Sequence, residues 1–263
     1  MRTILFAAVM LFLASCNGGD KKDPNQAMDD TARMRNPPVK TVLPVEPARI
    51  DDTDISFLPS AIAIKGKVKE AWKWTDELGE NILVTSVVGP YDDREKNKYG
   101  EEGQTVELYA VHYAKKMGDF RAITTLADKE KSCPFDITAA FIPGSTTITD
   151  LDKDGIAEIK VQYLLACRSD VSPATMKLII SEDGTKYGLT GSSWIRYSPE
   201  FKFNVTEKGV NLENLPELKD ETETMLRSFG RYENEKQFAS APPEFIVYAR
   251  KEWLKYVMEK MGE

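Results

Sequence analysis

The chain has a single histidine, His112, among 263 residues. That scarcity excludes zinc sites that need two or three imidazoles, such as the H-E-x-x-H helix. Cysteine is nearly as rare. Cys16, Cys133 and Cys167 are the only three, and no C-x-x-C spacing supports thiol redox catalysis. No G-x-S-x-G, P-loop or G-x-G-x-x-G occurs, so nucleophile-elbow, Walker-type and dinucleotide sites have nothing to stand on. There is no basic stripe either: 35 Lys+Arg face 42 Asp+Glu, a formal charge of -7, and such a chain repels a phosphate backbone. Nucleic acid is therefore not an expected partner. What the chain does have is 41% hydrophobic and 10% aromatic residues spread along most of its length, enough for a sizeable globular core.

The longest apolar run, Ile4 to Leu13, follows Arg2 and ends at Leu13-Ala14-Ser15-Cys16. Ten residues make about 15 Å of helix, half of a roughly 30 Å hydrocarbon core, which is too short for a lasting membrane span. The pattern fits a secretory signal, and its small residues before Cys16 resemble the bacterial lipobox, in which that cysteine is acylated after cleavage. Residues 1–15 are thus expected to be a signal peptide and Cys16 the lipidation site. The membrane is then a partner through lipid alone. Residues 16–50 are polar and dotted with Pro24, Pro37, Pro38, Pro44 and Pro47, without a hydrophobic period, and read as a tether.

The remaining residues, 51–263, read as one β-rich domain. Short β-rich runs alternate with Gly, Asp, Asn and Pro: Ile62 to Val68, Ile82 to Val88, Thr105 to Tyr113, Phe120 to Leu126, Ile137 to Ile142, Ile159 to Leu165, Met176 to Ile180 and Phe201 to Val205. That spacing predicts antiparallel, sandwich-like sheets. Between Glu158 and Ala166, Ile159, Val161, Tyr163 and Leu165 share one face and Lys160 and Gln162 the other, the pattern of a half-exposed strand. Asp183-Gly184 suggests a hairpin turn. The period changes near the end. Helices are predicted over Pro216 to Phe229, stopped by Gly230, and over Glu244 to Met261, with Ile246, Ala249, Trp253, Tyr256 and Val257 as its apolar stripe and Glu244, Glu252 and Glu259 on its polar face. The fold class is mainly β with C-terminal helices over 216–261, α+β overall.

The sharpest internal motif is Asp150-Leu151-Asp152-Lys153-Asp154-Gly155-Ile156-Ala157-Glu158. Carboxylates at alternate positions converge when the chain curls round a hard cation; Gly155 permits the turn, the Ile156 carbonyl can point inward and Glu158 adds a further oxygen. The candidate ligands are Asp150, Asp152, Asp154, Ile156 and Glu158, and the expected ion is a structural calcium. Position twelve from Asp150 is Val161 rather than the glutamate of an EF-hand, and the flanks read as strands. An ordinary acidic turn is the plainer alternative, since Asp and Gly favour turns for backbone reasons alone. No catalytic residue is assigned. Paired carboxylates such as Asp170 or Glu182 leave a glycan-processing enzyme as the alternative to a binding protein. His112 shares its strand face with Val106, Leu108 and Ala110 and reads as a satisfied sheet residue.

Cys133 and Cys167 form an even pair in an exported chain, which suggests a disulfide enclosing the acidic motif; buried free thiols are the alternative. Trp72 with Trp74, and Trp194 with Tyr197, suit either core packing or a sugar-stacking platform, and core packing is preferred because Trp is highly buried on average.

Taken as a set, the lipobox, Trp72-Lys73-Trp74-Thr75-Asp76 leading to Leu78-Gly79-Glu80-Asn81-Ile82, Ser132-Cys133-Pro134-Phe135-Asp136, Thr149-Asp150-Leu151-Asp152-Lys153-Asp154-Gly155 and Ala166-Cys167-Arg168-Ser169-Asp170-Val171-Ser172-Pro173 resemble a family of Bacteroidota lipoproteins labelled as surface polysaccharide biosynthesis proteins. The acidic loop itself is similar to the D-x-D-x-D-G loops of integrin-like β-repeats. The resemblance covers roughly residues 60 to 200. It implies a place in the cell envelope and a cation loop; the expected role beside it is a lipid-anchored, non-catalytic accessory or binding module toward glycan or other envelope proteins, at the outer membrane. It carries over no active site.

Overall fold

The computed structural model describes residues 45–51, 58–60, 62–97, 100–198 and 200–259. The expected signal peptide, Cys16 and the tether as far as residue 44 lie outside the described residues. Five strands, β1 (Ala48–Asp51), β2 (Lys67–Asp76), β3 (Gly79–Asp93), β4 (Gly103–Lys116) and β5 (Asp119–Cys133), form an antiparallel meander in chain order, sheet A. Sheet B holds β6 (Asp136–Phe141), β7 (Thr147–Thr149), β8 (Glu158–Arg168), β9 (Thr175–Glu182) and β10 (Thr185–Ser192) in the order β10-β9-β8-β6, with β7 also paired to β8. The helices are α1 (Glu221–Ser228) and α2 (Pro243–Tyr256). The expected mainly β architecture with C-terminal helices is present. Strand pairing begins at Ala48, inside the stretch read from sequence as tether.

Two apolar layers explain the arrangement. One is shared by the sheets: Trp74, Leu83, Leu108, Ala110 and Leu126 of sheet A meet Phe141, Ile159, Val161, Tyr163 and Leu165 of sheet B. The other lies on the far side of sheet B, where Met176, Leu178, Ile180 and Leu189 pack on Phe245, Ala249, Trp253 and Val257. Each fully buried side chain of this size is worth about 1.5 to 3 kcal/mol, so both faces of sheet B contribute to stability. A smaller group on the outer face of sheet A, including Val68, Ala71, Ile82, Val84 and Tyr113, is covered by Ile62.

Several sequence-based boundaries are corrected. The run from Ile62 becomes strand only at Lys67, because Gly66 turns the chain at φ +72, where an added Cβ would lie 2.3 Å from the Val87 carbonyl oxygen. Phe201 to Val205 forms no strand. Phe201 stacks on Trp194 with ring centroids 5.5 Å apart, while Phe203 and Val205 pack on the second apolar layer. The first helix starts five residues after Pro216, where the Asp220 side chain caps it by accepting the Glu223 N–H at 2.8 Å, and it buries no residue. In α2 the innermost residues are Phe245, Ala249, Glu252 and Trp253.

The half-exposed reading of β8 also fails. Lys160 and Gln162 are fully buried, since α2 lies across the face they occupy. Lys160 Nζ donates to Glu252 Oε2 at 2.5 Å and to Gln162 Oε1 at 3.0 Å, and lies 4.8 Å from the Tyr256 ring centroid. Glu252, placed by sequence on a polar face, is therefore an interior partner. Cys133 and Cys167 are joined as a disulfide between β5 and β8.

Candidate metal centre

The acidic loop connects β7 to β8, and the pairing of Thr149 with Glu158 closes its base. Lys153 and Gly155 both adopt the left-handed region, at φ 63 and 92, and so reverse the chain over a few residues. The expected turn at Gly155 is present. Short side chains shape the rest: Asp152 Oδ1 accepts the Asp154 N–H at 3.2 Å and Asp154 Oδ1 accepts the Ile156 N–H at 2.7 Å. Glu158 is buried and takes the Leu151 N–H at 2.9 Å and the Thr149 hydroxyl at 2.9 Å.

Sheet A fixes the loop from the other side. Asp76 Oδ2 accepts the Ala157 N–H at 3.1 Å and Trp74 Nε1–H at 2.8 Å; its Oδ1 accepts from Leu78 N–H at 2.8 Å and Asn81 Nδ2 at 2.7 Å. The Glu77 N–H donates to the Gly155 carbonyl at 2.9 Å. With four donors on it, Asp76 anchors the loop and has little capacity left for an ion.

Carboxylate oxygens then gather in two sets. Asp150, Asp152 and Glu158 place one oxygen each within 4.8 Å of one another, and Asp152, Asp154 and Glu182 do the same. Calcium–oxygen distances of about 2.3 to 2.6 Å put ligands on opposite sides of an ion about 5 Å apart, so either set can hold a cation. All-oxygen donors favour hard ions over zinc or copper. Asp150 Oδ1 and Glu182 Oε1 are buried without a hydrogen-bond partner. Burial raises the carboxyls of Glu158 and Glu182 to about 7, with the neighbouring acids adding to the effect on Glu182, and burial also raises Asp152. Such a cluster repels itself unless protons or a cation neutralise it.

Of the five expected ligands, Asp150, Asp152 and Glu158 are brought together through their carboxylates, while Asp154 meets only Asp152 among them, in the second set. At Ile156 the contact seen is the amide donating to Asp154. Sequence reasoning missed Glu182 as a neighbour of the loop. The signal was in the strand register: Ile159 pairs with Ser181, which sets Glu182 next to Glu158 at the end of β9. Asp170, the other carboxylate considered for catalysis, caps an exposed turn by accepting the Ser172 N–H at 2.9 Å.

His112 is buried beneath this region. Asn81 uses its amide nitrogen on Asp76 and Gly79, so its oxygen accepts from His112 Nε2 at 2.9 Å. Burial lowers the imidazole to about pKa 4, and the neutral ring stacks on Trp74 at 5.2 Å. Trp74 and Trp194 are buried, so neither pair considered as a sugar platform offers two open aromatic faces. No helix among the described residues is long and apolar enough to cross a membrane.

Fold and site together define a two-sheet, mainly β protein with C-terminal helices, an inter-sheet disulfide and an acidic centre able to hold a metal ion. Comparison with protein-family models, curated proteins and solved structures finds no match.

Proposed function

We propose that the chain is an exported, lipid-anchored envelope protein whose acidic loop is closed by calcium, and that it acts as a non-catalytic accessory or binding module for surface polysaccharide. The observation that carries the calcium part is the convergence of Asp150, Asp152 and Glu158 with a buried, unpartnered Asp150 oxygen. The disulfide supports an oxidising compartment. The envelope place and the glycan rest on the signal, the lipobox and the family resemblance. A partly exposed surface suited to a polar ligand lies on the outer face of sheet A across β3 and β4, where the hydroxyls of Tyr91 and Tyr109 both donate to Glu107. Those bonds hold the Glu107 carboxyl below its ordinary range and push the Tyr91 phenol up to about 12, so the charged acceptor and two fixed rings stand together at neutral pH.

Two experiments test this reading. EDTA should lower the melting temperature of the protein, and free calcium at a hundred times its dissociation constant should restore about 2.7 kcal/mol; melting curves that coincide with and without the chelator would remove the ion. A glycan-array screen of residues 17–263 should give a polysaccharide signal that Tyr91→Ala with Tyr109→Ala weakens at least tenfold, and a blank array would remove the glycan.

A further inference from the structure

We propose that the open edge of β6 takes an extended peptide segment of a partner protein, apolar at alternate positions and carrying an acidic side chain, which adds a strand to sheet B. This stands apart from the calcium and glycan readings, since it uses neither the acidic loop nor the Tyr91 surface.

Strand order creates the edge. β6 ends the strand order of sheet B and pairs with β8 alone among the described residues. The Ile142 N–H donates to the Gln162 carbonyl at 2.9 Å, in the same register that sets Ala140 opposite Leu164 and Thr138 opposite Ala166. In an antiparallel ladder alternate residues share their bonds with one neighbour, so the backbone groups of Ile137, Ala139 and Phe141 point away from β8. Among the described residues no strand or loop pairs with them. Ala139 and Phe141 are buried, and buried backbone donors and acceptors are seldom left without a partner.

A cleft lies along that edge. It encloses about 530 Å³ and is lined by every residue from Ile137 to Phe141, by Val87 and Pro90 of β3 and by Val106 of β4, but by no residue of β8. It therefore follows the unpaired edge of β6. Five strand residues span about 16 Å at roughly 3.3 Å each, room for a short extended segment. Val87 and Val106 put apolar surface beside the edge, where alternate side chains of an added strand would point.

Charge selects the sequence. Glu70, in the same cleft, is buried and already met by the Thr146 hydroxyl at 2.8 Å, the Trp72 indole N–H at 3.0 Å and the Arg49 guanidinium at 3.4 Å. Lys69, at the bulge between Val68 and Glu70, is exposed at the cleft and forms no ion pair among the described residues. A carboxylate on the incoming strand would meet that ammonium; a basic side chain there would be repelled. A second copy of the chain is the poorer occupant. Sheet A overhangs β6, and two such overhangs would collide before two β6 edges could pair.

A fluorescein-labelled peptide of alternating valine and threonine with one central glutamate, followed by anisotropy against the full chain, tests the edge. Saturable binding is expected. Ala139→Pro removes an outward amide hydrogen while sparing the bonds to β8, and should weaken binding about tenfold. Lys69→Glu, an exposed change that covers the case in which the proline variant does not fold, should weaken it about threefold and shift the preference to a probe with lysine in place of glutamate. Absence of binding up to about 1 mM probe overturns the proposal. So does binding that either variant, once folded, leaves unaltered. Dimerisation of the unaltered chain that Ala139→Pro abolishes, followed by sedimentation, would give the edge to a second copy and overturn the peptide.

Discussion

Lys160→Ala should lower stability to urea by about 3 to 5 kcal/mol, because it strands a buried carboxylate on α2. Side-chain exposure at the pair is 1% for Lys160 and 10% for Glu252, so water cannot replace the lost ammonium. Glu252 would keep only the 3.3 Å contact with Lys255, which is more than half exposed and screened by solvent. Burial already pulls the Lys160 ammonium down to about pKa 8 against the attraction of Glu252, a measure of how far this site is from water. Replacing the pair together with Gln162, whose Oε1 also accepts from Lys160, by apolar residues of similar volume, Lys160→Met with Gln162→Leu and Glu252→Leu, should bring stability back to within about 1 kcal/mol of the unaltered protein or above it. A single mutant as stable as the parent would mean that the pair is solvated and that α2 does not seal this face.

The second large effect belongs to the disulfide. Cys133→Ala with Cys167→Ala should cost about 3 to 4 kcal/mol, the unfolded-chain entropy of a loop spanning 34 positions on the chain-entropy model. Alanine is preferred to serine because Cys133 is buried and a hydroxyl there would need a partner. Thiol labelling of denatured but unreduced protein should find both residues blocked. Two labelled thiols, or a variant that unfolds at the same urea concentration, would show that the bridge contributes nothing.

Local pattern carried much of the architecture. The β-rich runs Ile82 to Val88 and Thr105 to Tyr113, and Asp183-Gly184 between two more of them, marked sheet segments that the structure contains, and Asp150 to Glu158 marked the loop where carboxylates meet. What local pattern could not carry was depth. The alternation Ile159, Lys160, Val161, Gln162 describes two chemically different faces, and polar normally means wet; here Glu252, 92 positions further on, meets Lys160 and makes the polar face an interior one. The same limitation hid Glu182, whose place beside the loop depends on the register between β8 and β9. Phe201, Phe203 and Val205 imitate a strand because rings that plug the margin of a core alternate just as strand residues do.

Sheet B is enclosed on one side by sheet A and on the other by residues 243–257, which follow all of its strands in sequence. During synthesis, the ammonium of Lys160 and the apolar row Met176, Leu178 and Ile180 must therefore wait in water until residues 243–257 have emerged. Closure of sheet B waits for α2, and a chain halted before Pro243 would carry an open, greasy sheet with a charge in the middle of it.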